Sequence, residues 1–276
     1  MKYEDISKDG YPLGFLINKG TTTNSDDLNK TFVSHTRQMA LLQKETIGYE
    51  GDLNSHSWRL TSDEGKHLNG TDLAPFPLGF FNASIHGDIV GRILKTASKE
   101  NLSIDEIKCE VKNSYYLTGS FVKGDGEGHA EPTEINLDIK TSEDKTKIES
   151  LVKKCSQLSP VLAALRTPLK NTFSLIANGR RKNLSNLNES SFVDHEDPYN
   201  YYQKQPSPSE NNFFSKRIIV KTGEVSSGKV EPVDGYNISK TSNNVSENSN
   251  FNKIIRTIVG QSTTKASDDL IEVDTV

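Results

Sequence analysis

Ala74-Pro75-Phe76-Pro77 runs straight into Leu78-Gly79-Phe80-Phe81-Asn82-Ala83-Ser84-Ile85-His86-Gly87-Asp88-Ile89-Val90-Gly91-Arg92-Ile93-Leu94. Phe81, Ile85, Ile89, Ile93 and Ala97 return every fourth residue, and Val90 and Leu94 widen the stripe, so the spacing predicts a helix with one buried face. Beyond it, Ile107, Cys109 and Val111 alternate with charged residues, and Tyr115 to Val122 is aromatic and β-branched. Ile135, Leu137 and Ile139 alternate again after the glycine-rich turn from Gly124 to Gly128. Three half-buried antiparallel strands are expected. A second helix is expected from an N-cap at Thr141 or Ser142, with Glu143 and Asp144 in its first turn and Ile148, Leu151, Val152, Cys155 and Leu158 on one stripe. Ser159-Pro160 ends it and caps a further short helix. After Pro168, Thr172 to Ala177 reads as a strand and Asn178-Gly179 as a tight hairpin turn. The fold class is α+β.

A proline, an apolar helix, strands, and a helix that ends in Ser159-Pro160-Val161 form an order that resembles the osmotically inducible protein C and organic hydroperoxide resistance family (OsmC/Ohr), from Ser57 to Leu175. The resemblance implies an intertwined homodimer in which antiparallel sheets pack on a central helix and the active site lies at the dimer interface. It also implies a peroxidatic cysteine on the first helix, a resolving cysteine in a Cys-Pro-Val tripeptide, and an arginine and a glutamate that activate the thiolate. Carried over residue by residue, the pattern loses its sulfur. With Pro75 as the helix-opening proline, the peroxidatic position falls on His86 and the glutamate on Phe76; with Pro77, they fall on Asp88 and Leu78. The resolving position is Ser159. Arg59, within Ser57-Trp58-Arg59-Leu60, matches the arginine by its order along the chain.

The two cysteines present lie elsewhere. Cys109 alternates with Ile107 and Val111, which points it into a sheet-helix interface as a small hydrophobe. Cys155 belongs to the apolar stripe of the second helix, one turn before Ser159, where it is either a packing residue or a thiol close to the resolving position. Lys153 and Lys154 point away from it by helical geometry and so do not supply the positive charge that a thiolate needs.

The chain has 276 residues, 33% of them hydrophobic, and a mean hydropathy of -0.60, enough for one moderate core with extensions. The expected organisation is an N-terminal extension over 1–50 that contributes strands, an OsmC-like core over 51–181, and a polar C-terminal arm over 182–276 with a docked strand and a short helix. The strand is expected from Phe213 to Val220, and the helix from the face formed by Phe251, Ile254, Ile255, Ile258 and Val259. Gly14-Phe15-Leu16-Ile17 is a strand candidate, while Met39-Ala40-Leu41-Leu42 fits helix or strand. Such apolar islands in a polar tail dock on the chain's own core or on a partner, and the expectation is an arm that wraps the dimer mate. A net charge of -4 from 33 basic and 37 acidic residues shows no field that would attract nucleic acid or an anionic membrane. Two unrelated cysteines, no apolar leader and no stretch long enough to span a bilayer lead to the expectation of a cytoplasmic protein.

Candidate site residues concentrate before and within the first helix. His86, Asp88 and Arg59 are the candidate catalytic set, and His56, His67, Asp72, Cys155 and Ser159 are candidate lining. His86 falls within the apolar arc, where it is either a hydrogen-bonded core residue or a functional one. If functional, it is a general base or acid, with Asp88 or Asp72 to orient it and Arg59 to hold an anion. No cofactor is expected. The histidines and carboxylates include metal-ligand types but lack a short ligand spacing such as His-x-x-x-His. Three readings stand: a non-redox hydrolase or lyase acting on a small organic substrate, a thiol-dependent hydroperoxide reductase that uses Cys155, and a catalytically silent binding or structural member of the fold.

Overall fold

The computed structural model describes residues 14–18, 31–51, 57–120, 123–191, 218–221, 254–267 and 271–275. A four-stranded antiparallel sheet comes first, built from β1 (Gly14–Asn18), β2 (Phe32–Gln38), β3 (Lys44–Glu50) and β4 (Ser57–Ser62) in the order β1-β4-β3-β2. Met39 to Leu42 is neither helix nor strand: it is the β2-β3 turn, closed by a bond from Met39 N–H to Gln43 C=O of 2.9 Å, with Leu41 in the left-handed region at φ 51°. The alternation along β3 and β4 buries Glu45, Ile47, Ser57, Arg59 and Thr61 on one face.

The long helix α1 (Pro77–Lys99) opens on Pro77, whose missing N–H costs nothing in the first turn. Its buried face holds Asn82, Ile85, His86, Ile89, Val90, Ile93 and Ala97. Phe81, expected on this stripe, is instead exposed, because the arc is centred nearer Asn82 and His86 and leaves Phe81 beyond its edge.

The second sheet is organised around β5 (Glu106–Thr118), a single long strand where two shorter ones were expected. β6 (Glu127–Ala130) and β7 (Glu134–Lys140) pair in turn along one side of it, antiparallel as expected. Asp144, rather than Thr141 or Ser142, caps α2 (Lys145–Leu158), its side chain accepting from Thr146 N–H at 2.8 Å. Leu158, expected on the α2 stripe, is exposed. Ser159 then caps α3 (Pro160–Arg166). Asn178 and Gly179, both at positive φ (54° and 71°), join β8 (Leu175–Ala177) to β9 (Arg180–Lys182), the backbone that a type I′ hairpin turn requires.

The C-terminal segment departs most from expectation. Ile254 to Val259 lies not in a helix but in β11 (Ile254–Lys265), which runs antiparallel to β5 from Ile254↔Leu117 to Lys265↔Glu106. A run dense in isoleucine matches a helical face and a strand equally well over so few residues, and its β-branching favours the strand. β12 (Ile271–Thr275) pairs with β11, and β10 (Ile218–Lys221) runs parallel to β12 at the edge. This part of the expected arm therefore completes the chain's own sheet. Phe213, the expected start of the edge strand, and Phe251, of the expected helical face, lie outside the described residues.

The main core gathers Ile85, Ile89, Val90, Ile93 and Ala97 of α1 with Ile107, Cys109 and Val111 of β5, Leu151 and Cys155 of α2, and Leu162 of α3. No helix among the described residues is long and apolar enough to cross a membrane.

Candidate functional site

The loop that delivers the chain into α1 is tied by one carboxylate. Asp63, fully buried just after β4, accepts from the N–H groups of Glu64, Thr71 and Leu73 at 2.7, 3.1 and 3.3 Å and from the Thr71 hydroxyl. Its own N–H reaches Pro75 C=O at 3.2 Å. These bonds satisfy a buried carboxylate and fix where α1 begins. Asp72, on the same loop, is exposed and in the left-handed region at φ 60°. His67 lies in the 3₁₀ turn Lys66–Leu68. His56 lies outside the described residues.

His86 is fully buried between α1 and β11. Its Nδ1 and the Ser262 hydroxyl are 2.9 Å apart, while Nε2 faces the backbone at Gly260, near enough to be influenced by it but outside hydrogen-bond geometry. One turn earlier on α1, Asn82 donates from Nδ2 to Val111 C=O at 3.1 Å and to Ile258 C=O at 3.5 Å, and so ties α1 to β5 and β11 together. A Cβ at Gly260 would stand 2.8 Å from His86 Nε2 and would overlap Asn82 Oδ1, so only glycine lets β11 approach this closely. Burial pushes the His86 pKa down to about 4, against a smaller opposing pull from the Gly260 backbone. The imidazole is neutral at neutral pH and has no exposed surface from which to exchange a proton.

Asp88 lies on the flank of α1 and accepts from Arg92 Nη2 at 2.5 Å across one helical turn. Asp88 Oδ2 and Arg92 Nε are both buried without a hydrogen-bond partner. Arg59 belongs to the other sheet. Its guanidinium pairs with the fully buried Glu45, which also accepts from Arg37 Nε at 2.5 Å. The three candidate catalytic residues thus have three different sets of partners: Ser262 on β11 for His86, Arg92 on α1 for Asp88, and Glu45 on β3 for Arg59.

Ser159 is buried as the cap of α3, its hydroxyl accepting from Leu162 N–H at 2.9 Å. Cys155 is fully buried, with its thiol 3.7 Å from Arg92 C=O. Burial, reinforced by Glu110, pushes the Cys109 thiol up to about 12. Among the described residues, no three of the histidine, cysteine, aspartate and glutamate side chains come together as a metal site would require. Glu45, Asp63, Asn82, Gly260 and Ser262 were absent from the sequence-derived set. Only Asn82 carried a signal there, as a polar residue four positions before His86 on the apolar face.

No family model and no curated protein matches the chain. Among solved structures it is similar to an OsmC-like hydroperoxide resistance protein from Jannaschia sp. CCS1, at 14% identity over 54% of this chain and 95% of that one, with a TM-score of 0.37. It is also similar to a putative osmotic stress induced and detoxification response protein from Psychrobacter arcticus 273-4, at 15% identity over 48% of this chain and 85% of that one, with a TM-score of 0.35.

Proposed function

We propose that the chain is a divergent OsmC-like protein that has given up thiol chemistry and works as a catalytically silent homodimeric binding or structural member of that fold. One observation carries this reading: both cysteines and the resolving position are closed off, with Cys109, Cys155 and Ser159 exposing 2%, 0% and 1% of their surface, and His86, the peroxidatic position if Pro75 sets the register, exposing 0%. A peroxidatic group has to meet its substrate, and a reactive thiol needs a lowered pKa and access, whereas Cys109 is shifted the opposite way. Ser159, at the resolving position, instead caps α3; at the peroxidatic position the Pro75 register puts His86, which seats β11, and the Pro77 register puts Asp88, which pairs with Arg92.

A non-redox enzyme on a small organic substrate is the second reading, and one observation favours it: the unpartnered atoms of Asp88 and Arg92 on the flank of α1. In that case Asp88, not His86, holds or moves the proton, in a pocket closed by the partner subunit. The test is consumption of an alkyl hydroperoxide in the presence of a dithiol reductant, run alongside hydrolysis of a panel of activated esters. The expected result is no turnover in either assay. Hydroperoxide turnover lost in Cys155→Ser, or ester turnover lost in Asp88→Asn with folding unchanged, overturns the silent reading.

A further inference from the structure

From Ser150 to Asn188 the chain carries seven basic residues, Lys153, Lys154, Arg166, Lys170, Arg180, Arg181 and Lys182, and no acidic one. Whole-chain balance hides this segregation, since acidic residues outnumber basic ones 37 to 33 overall. Lys154 pairs with Glu100, but Arg166 and Arg181 donate to neutral oxygens of Ser156 and Ser190, which leaves their charge uncompensated. Among the described residues, Lys170, Arg180 and Lys182 form no ion pair.

The same segment holds exposed apolar bulk. Leu165, Leu169, Phe173, Leu175, Ile176 and Leu187 are all more than a third exposed, Leu169 at 63%. Isolated apolar residues on a surface need no explanation, but half a dozen within 23 residues mark an interaction surface. Leu175 and Ile176 are neighbours on β8 and so point to opposite faces of the β8-β9 hairpin, yet they are 45% and 39% exposed. A hairpin that leaves apolar surface open on both faces does not suit a protein groove, which covers one face. It suits a medium that closes around it, with Leu, Ile and Phe at the acyl boundary and Arg and Lys reaching back to anionic headgroups.

We propose that residues 165–187, with the β8-β9 hairpin at their centre, form a docking surface for an anionic lipid bilayer, on which the protein lies peripherally. The experiment is co-sedimentation of the full chain with vesicles of phosphatidylcholine alone and with vesicles of equal parts phosphatidylcholine and phosphatidylserine. Anionic vesicles are expected to bind roughly 100-fold more tightly, with Arg180, Arg181 and Lys182 each contributing about a factor of five near such a surface. The preference should weaken as salt rises. Arg180→Glu combined with Arg181→Glu is expected to abolish it, and Leu175→Ser combined with Ile176→Ser to lower anionic binding at least tenfold, both with an unchanged circular dichroism spectrum. Absence of binding, equal binding to both vesicle types, or indifference to both double variants overturns the proposal. So does a lipid-free sedimentation equilibrium in which the apolar double variant turns an oligomer into a monomer, because the surface would then join copies of the chain.

Discussion

The buried imidazole makes stability depend on pH in a way that one substitution isolates. In the folded chain His86 has a pKa of about 4 against an ordinary 6.5, because burial disfavours the charged ring. Between those values the unfolded chain holds a proton on this residue that the folded chain does not. The contribution is therefore complete above pH 6.5, falls as pH drops below it, and is lost once pH passes below about 4. At about 1.4 kcal/mol per pH unit, the gap amounts to about 3 kcal/mol. His86→Gln removes the titration while keeping a polar side chain that can still reach Ser262 on β11. The assay is urea unfolding followed by the fluorescence of Trp58, the chain's one tryptophan, near neutral pH and again near pH 4. Other groups titrate over this range in both proteins, so the informative quantity is the difference between wild type and variant. Wild type is expected to lose about 3 kcal/mol more than the variant on acidification. Asn82, Gly260 and Ser262, which surround the ring, carry no titrating group that could produce the same difference. Parallel loss in the two proteins would refute the reasoning, since it would mean that the ring meets water in the folded state or that β11 is not seated on it.

Gly260→Ala places a methyl group against His86 Nε2 and into Asn82 Oδ1, and β11 or α1 has to move to admit it; a loss of about 1–3 kcal/mol is expected, measured as a lower urea midpoint. Glu45→Gln leaves the buried Arg59 and the neighbouring Arg37 without the carboxylate that accepts from both, and a loss of about 3–5 kcal/mol is expected in the same assay, larger than that of Gly260→Ala.

Local periodicity made much of this architecture legible. The four-residue spacing from Ile85 to Ala97, the alternation of Ile107, Cys109 and Val111, and the Ser159-Pro160 cap each report an element through residues near one another in sequence. Pairings between distant segments left no such trace. His86 and Ser262 stand 176 residues apart, and nothing near Gly260 marks it as the partner of α1 rather than as part of a polar tail. Ile254 to Val259 of β11 fits a helical face for the same reason: its β-branching leans towards a strand, but what fixes it is its register with β5, a property of the pair. Glu45 leaves no mark in the sequence, because a charged residue on a strand reads as solvent-facing until its buried partners are known. Arg59 was visible as a candidate, but not the carboxylate that occupies it.

On the proposed OsmC-like reading, Pro75 and Pro77 would set the peroxidatic position at His86 and Asp88 respectively, two residues or about 200° apart around α1, which itself opens on Pro77. The two candidates therefore cannot both face the sheet. His86 takes the sheet-facing side, and Asn82, one turn before it, holds that orientation through Val111 and Ile258. Rotating α1 to free the ring would break those bonds and draw Asp88 and Arg92 into an apolar core, at the cost of burying an ion pair. The rotation of α1 is thus set by its polar residues as firmly as by its isoleucines. Of the buried atoms on this helix that lack a hydrogen-bond partner, Asn82 Oδ1 and His86 Nε2 are closed off against Gly260, whereas Asp88 Oδ2 and Arg92 Nε lie on the flank, the side from which a ligand would approach.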